Sequence, residues 1–211
     1  MIGIACVWNF LSSNQDHIWY ALSGLGAFGT LFVAFYALNT WRKEKEYDLV
    51  IENLAICNVA VQFIAALRYP ASSTGEIKKE YQEEIDKQAI DDKRRKSAAE
   101  ALFIYQSRRD RQQEIFENIL KLREKNWAVY GEKHDFYLFF NTVVEFDNDI
   151  RMAHIRYYHA ILDREDYPDD VFKAIMKETR PIMYSKLSDD DIITKELTGW
   201  VEKLKKYRKK Q

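Results

Sequence analysis

The sequence predicts an all-α protein, with one N-terminal transmembrane helix continuing into a cytoplasmic helical bundle. Three observations carry this. Gly occurs 7 times and Pro 3 times in 211 residues, so turn formers are scarce. From residue 50 onward apolar residues recur at helical spacings, and no hairpin turn or sustained period-two alternation marks a strand. Charge is divided: residues 1–41 hold no Lys or Arg and one acid, Asp16, so all 32 basic residues follow, balanced by 32 acids. A balanced body lacks the positive surplus that displaces phosphate counterions, which argues against general nucleic-acid binding. Two cysteines exclude a disulfide-stapled scaffold.

Residues 1–17 read as a short outer-side head, because Ile2 to Leu11 is apolar but too short to span a bilayer. The transmembrane helix is residues 18–41. Ile18 to Trp41 carries no charge over 24 residues, and about 20 suffice to cross the hydrocarbon core. Trp19 and Tyr20 stand at one end and Trp41 at the other, as interfacial aromatic belts require. Arg42, Lys43 and Lys45 follow at once, so the positive-inside rule places the C-terminal side in the cytoplasm. The expected location is a bacterial inner membrane, single-pass, N-terminus outside. A buried core helix of a soluble protein is the competing reading, but such helices rarely run this long without charge.

Gly24, Gly26 and Gly29 match a dinucleotide-loop pattern, yet that loop needs a preceding strand and an aqueous phosphate, and neither fits an apolar helix. Packing explains them better. Ser23, Ala27, Thr30, Ala34 and Ala37 recur at spacings of 4, 3, 4 and 3, with Gly26 beside them. Such a stripe lets two membrane helices approach closely, and self-association through it is expected.

Residues 42–68 read as a juxtamembrane amphipathic helix continuing the span. Val50, Leu54, Cys57, Val61 and Ile64 alternate by 4 and 3, while Glu52, Asn53, Asn58 and Gln62 take other faces. The rival is a second span over Leu49 to Leu67, which would put Glu52 and three amides into lipid.

Tyr69 to Gly75 is the clearest break, with Pro70 and three consecutive hydroxyl residues. Residues 76–211 follow as a cytoplasmic helical domain. Glu76 to Gly131 is one long helical stretch, too long for a lone rod, so a helical hairpin or an extended antiparallel, coiled-coil-like arm is expected. Lys93 to Lys96, beside Asp91 and Asp92, reads as a solvated helix face or turn. Asp135 to Leu162 should be the central helix, with Phe139, Val143, Phe146, Ile150, Ala153 and Tyr157 on one side. Pro168 with Asp169 and Asp170 marks the next start, and Val171 to Leu187 a helix interrupted by Pro181. Asp189 to Asp191 suit the positive end of the last helix, through Ile192, Leu197, Trp200 and Leu204. The chain closes with Lys203, Lys205, Lys206, Arg208, Lys209 and Lys210, a basic tail that could fold back onto anionic headgroups. Lys205, Lys206 and Arg208 thus join Trp19, Trp41, Arg42, Lys43 and Lys45 as candidate membrane-surface residues.

No catalytic, cofactor-binding or metal-binding set is expected, and the chain reads as non-enzymatic. His154 and His159 are five apart and do not share a helix face as an i, i+4 metal pair would. Asn148 and His154 resemble the Arg-to-His spacing of helical HEPN-type ribonucleases, but Asn stands where the Arg belongs. Asp147, Asp149, Arg151 and His154 read instead as a salt-bridged polar face.

The layout resembles small membrane-anchored effector or accessory proteins of bacterial anti-phage systems, including retron-associated transmembrane effectors. The features that carry the resemblance are the short head, the Gly/Ala-rich span, the exit from Trp41 to Leu49 and the helical body, over roughly Ile18 to Leu67. It implies an effector held silent by a cytoplasmic partner, which disrupts the inner membrane once released. The expected partners are membrane lipid, a second copy, and a cytoplasmic protein or nucleoprotein. A non-enzymatic scaffold docking a cytoplasmic partner and a membrane-tethered HEPN-like ribonuclease are the alternatives.

Overall fold

The computed structural model describes residues 15–70, 75, 77–87, 92–185 and 191–208, with first-helix side chains at Tyr20 and from Ser23 onward. Residues 15–17 of the head already belong to the first helix, while residues 1–14, the side chain of Trp19, and Lys209 and Lys210 lie outside the described residues. Among them there are seven α-helices and no strand: α1 (Gln15–Leu67), α2 (Lys79–Lys87), α3 (Lys93–Arg111), α4 (Gln113–Tyr130), α5 (Asp135–Leu162), α6 (Asp169–Met183) and α7 (Ile192–Leu204). Short 3-10 turns cover Arg164–Asp166 and Lys205–Arg208.

The chain divides into two units, Met1–Leu49 and Val50–Gln211. Helix α1, of 53 residues, is assigned as one α-helix through the boundary. A two-span hairpin needs a turn between Trp41 and Leu49, and this continuous helix has none. The juxtamembrane segment is therefore shared, its residues 42–49 in the first unit and 50–68 in the second.

In the second unit α5 is the centre, packed against α3, α4, α6 and α7. Its inward side buries Phe136, Phe139, Phe140, Val143, Ile150, Ala153 and Ala160. Between Lys79 and Tyr130 the described residues form three helices, α2, α3 and α4, rather than one. Asp92 caps α3 by accepting from the backbone N–H of Arg94 and Arg95, which fixes the role of the basic run behind it. The chain bends at Gln112, so α4 lies against the first half of α5 and α3 against the second. Gly131 ends α4 at φ 82°, a left-handed conformation that favours glycine. Helix α6 carries Pro181 in its last turn and ends at Met183, with Tyr184 extended, before the Leu187 its apolar pattern suggests; Pro181 has no N–H to donate to the carbonyl of Lys177 four residues back.

The face of α1 that enters the bundle is turned from the one its spacing predicts. Asn53, Cys57, Ala60, Phe63, Ile64 and Leu67 are buried, whereas Val50, Leu54 and Val61 are only half-buried. The amide of Asn53, placed by the pattern on a polar face, is fully enclosed. Phe63 stacks on Phe116 of α4, with ring centres 5.8 Å apart.

Candidate functional site

Each unit offers a distinct candidate. In the first, Ser23 to Trp41 is a bare helix. Phe28 is 75% exposed, Phe32 72% and Trp41 56%, and Leu25, Leu31, Val33, Phe35, Tyr36 and Leu38 are exposed beside them. At 100° per residue these positions cover every side of the helix. An apolar surface this extended is the ground state only where the surroundings are apolar. Its Ser and Thr hydroxyls are satisfied within the helix: those of Ser23, Thr30 and Thr40 donate to the carbonyls of Tyr20, Gly26 and Tyr36. That is what a hydrocarbon environment demands of a spanning segment. The helix is thus long and apolar enough to cross a membrane.

The small residues Ser23, Gly26, Ala27, Thr30, Ala34 and Ala37 are all exposed, and a Cβ added at Gly26 would meet nothing within 4 Å. At the end of the apolar run, Trp41 is followed by Arg42, Lys43 and Lys45, all exposed. Arg42 pairs with Glu46 at 2.9 Å and Lys45 with Asp48 at 3.7 Å. The cationic collar is locally balanced by acids one turn on.

In the second unit the sharpest polar arrangement surrounds Arg68, the residue after the last turn of α1. It is 1% exposed. Its Nε donates to the carbonyl of Ile182 at 2.9 Å, and one terminal nitrogen to those of Pro181 and Tyr184. Both terminal nitrogens also reach the carboxylate of Asp191, at 2.6 and 2.7 Å. The planar fork of Arg makes this possible, because it presents donors in fixed directions. One side chain therefore caps the C-terminus of α6 and holds the N-cap of α7, where Asp191 also accepts from the backbone N–H of Thr194. Burial tends to raise the Asp191 carboxyl, but hydrogen bonds from Arg68 and Thr194 outweigh it and hold it at about 2. From sequence Arg68 is only a basic residue after an apolar run, so nothing marks it beyond its position before Tyr69-Pro70.

Two more polar links join the helices. Asn53 and Asn126 exchange amide hydrogen bonds at 2.8 and 2.7 Å in a fully buried pair. Such a pair fixes the register of α1 against α4, because a slip of either helix leaves two amides unsatisfied. At the start of α5, Asp135 gathers Lys203, Lys206 and the hydroxyl of Tyr207. Burial pushes its carboxyl up, yet those donors bring it down to about 2. The basic tail is thus divided in its commitments: Lys206 is held by Asp135, Lys205 pairs with Glu202, and Arg208 is exposed with no carboxylate partner among the described residues.

His154 is buried at 3% exposure, stacked on Tyr105 with ring centres 4.7 Å apart, and its Nδ1 lies 2.9 Å from the Ile150 carbonyl. Asp147 beside it accepts from Tyr105 and from Arg109 Nε at 3.1 Å. His154 and Asp147 are thus enclosed in the helical unit, while Asn148 between them in sequence is exposed. Among the described residues no three His, Cys, Asp or Glu side chains gather to hold a metal. Desolvation, aided by the nearby charge of Arg108, lowers His154 from 6.5 to about 4 against the opposing Ile150 hydrogen bond. The unfolded chain therefore binds a proton near pH 6.5 that the folded chain refuses until about pH 4. The stability this contributes is complete above pH 6.5 and is lost as pH falls toward 4, a span worth roughly 3 kcal/mol. Thermal melts of the detergent-solubilised chain should lose stability between pH 6.5 and 4.5. His154→Phe, which keeps the stacking ring, should flatten the curve there. An unchanged slope would place the titration elsewhere.

No family model matches the chain, and neither a curated protein nor a solved structure matches it.

Proposed function

We propose that this chain is a membrane-anchored effector or accessory protein of a bacterial anti-phage defence system. The observation that carries the reading is the bare helix from Ser23 to Trp41, with large apolar side chains exposed on every side and its Ser and Thr hydroxyls bonded within the helix. In this reading Ile18 to Trp41 crosses the inner membrane with the N-terminus outside. The helical unit lies in the cytoplasm, binds a protein or nucleoprotein partner, and restrains the membrane segment until release. Self-association of the span through Ser23, Ala27, Thr30, Ala34 and Ala37 would follow release, with disruption of the membrane as the output. The layout supports it: a lipid-compatible segment and a polar-surfaced helical body share one unbroken helix.

Two measurements test it. A fluorescent-protein reporter after Gln211 should be active and alkaline phosphatase at that junction inactive, because the bases follow the span. Overexpression without a partner should depolarise the inner membrane. Phosphatase activity after Gln211 would overturn the topology. Correct insertion with no loss of membrane potential would favour the scaffold, a protein that docks a partner without an output of its own.

A further inference from the structure

Within the helical unit, α7 begins at Arg68 and runs back along α1. The two helices do not close on each other. Between them lies an open groove of about 650 Å³, inside the roughly 300–1,000 Å³ usual for small-molecule sites. Its apolar floor is Ile51, Leu54, Ala55, Val61, Val201 and Leu204. Part of the apolar stripe that the sequence assigns to α1 is thus left in this groove instead of the core, since Leu54 and Val61 stay half-buried; Ile51, outside that stripe, is 45% exposed beside them. Lys205 and Arg208 border the same groove. The one acid among its lining residues, Glu202, is engaged by Lys205. Arg208 keeps its charge free of any carboxylate among the described residues. An apolar channel with an uncommitted guanidinium at its border is complementary to an amphiphile that ends in an anion.

We propose that this groove seats one anionic phospholipid, with an acyl chain along Leu54, Val61 and Val201 and the headgroup phosphate on Arg208. The proposal rests on the membrane reading for the source of the lipid. Binding would occupy the surface on which α1 and α7 face each other, and would make the helical unit sensitive to the anionic lipid of the leaflet it adjoins.

The test uses the full-length protein in mild detergent with phosphatidylglycerol bearing a diazirine in its acyl chain, and phosphatidylcholine bearing the same chain. After irradiation, peptides covering 51–61 and 198–208 should carry label from phosphatidylglycerol in clear excess over phosphatidylcholine. Arg208→Ala should reduce that label about fivefold, while Arg208→Lys retains most of it. Ala55→Trp, at an exposed position on the floor, should exclude the chain without disturbing the fold, checked by circular dichroism. Label confined to Ile18–Trp41, or equal label from both lipids that ignores Arg208→Ala, would overturn the groove and leave the membrane reading standing. Label in the groove but none on Ile18–Trp41 would support the groove and sink the membrane reading. Label at neither place would overturn both.

Discussion

Replacing Arg68 by Met should destabilise the helical unit by about 3–5 kcal/mol, the usual result of removing one partner of a buried ion pair. The loss has two parts. Asp191 would keep a buried charge with only Thr194 to satisfy it, and the carbonyls of Pro181, Ile182 and Tyr184 would lose their donor. Asp191→Asn separates the two, since Asn still accepts from the Thr194 backbone as an N-cap but leaves Arg68 uncompensated. The double variant Arg68→Met with Asp191→Asn should lose less than the two singles together, by about 1–3 kcal/mol of coupling. Hydrogen exchange should show the last turn of α6 and the first turn of α7 opening first. Strict additivity would mean that Arg68 acts only as a cap on α6. Exchange protection unchanged in both segments would mean that the clamp holds nothing.

The clamp is also where reading the sequence met its limit. Elements whose ends have local chemical causes were legible. Pro70 follows the end of α1, Gly131 ends α4, Asp191 starts α7, and the central helix spans Asp135 to Leu162 as its apolar period requires. Contacts that join distant segments were not. Arg68 and Asp191 are 123 residues apart and Asn53 and Asn126 are 73 apart. No local pattern distinguishes a surface Asn from one whose partner lies on another helix. The orientation of α1 is hidden from the sequence for the same reason. Its spacing favours Val50, Leu54, Cys57, Val61 and Ile64, but the buried Asn53 pair turns the helix so that Leu54 and Val61 face a groove. A buried polar pair outranks a marginal apolar stripe, because a slip would leave two buried amides unsatisfied at about 1–3 kcal/mol each, more than a half-buried Leu gains. The basic tail shows the same limit: six like charges read as a tail that could fold back onto anionic headgroups, or as an ordinary helix end, and nothing in the pattern points to Asp135, which engages Lys203 and Lys206.

The apolar helix was legible because its signal is compositional and needs no partner, and its test is the most direct. Arginines at Gly29 and Phe32 together should add about 5–7 kcal/mol to the cost of insertion, at about 2.5–3.5 kcal/mol for each near the centre of the span. Both positions are exposed, and a Cβ added at Gly29 meets nothing within 4 Å, so the substitutions break no contact within the chain. Neither lies close enough to the ends of the apolar run for its guanidinium to reach the interface without distorting the bilayer. The expected result is a protein lost from the carbonate-washed membrane pellet, or degraded before it accumulates. Leucine at the same two positions should leave it in the pellet. Retention of the double-arginine variant at the parent level would show that this helix does not sit in lipid. Its exposed Phe, Leu and Trp side chains would then have to be covered by protein, and a second copy or a partner would become the only environment able to account for them.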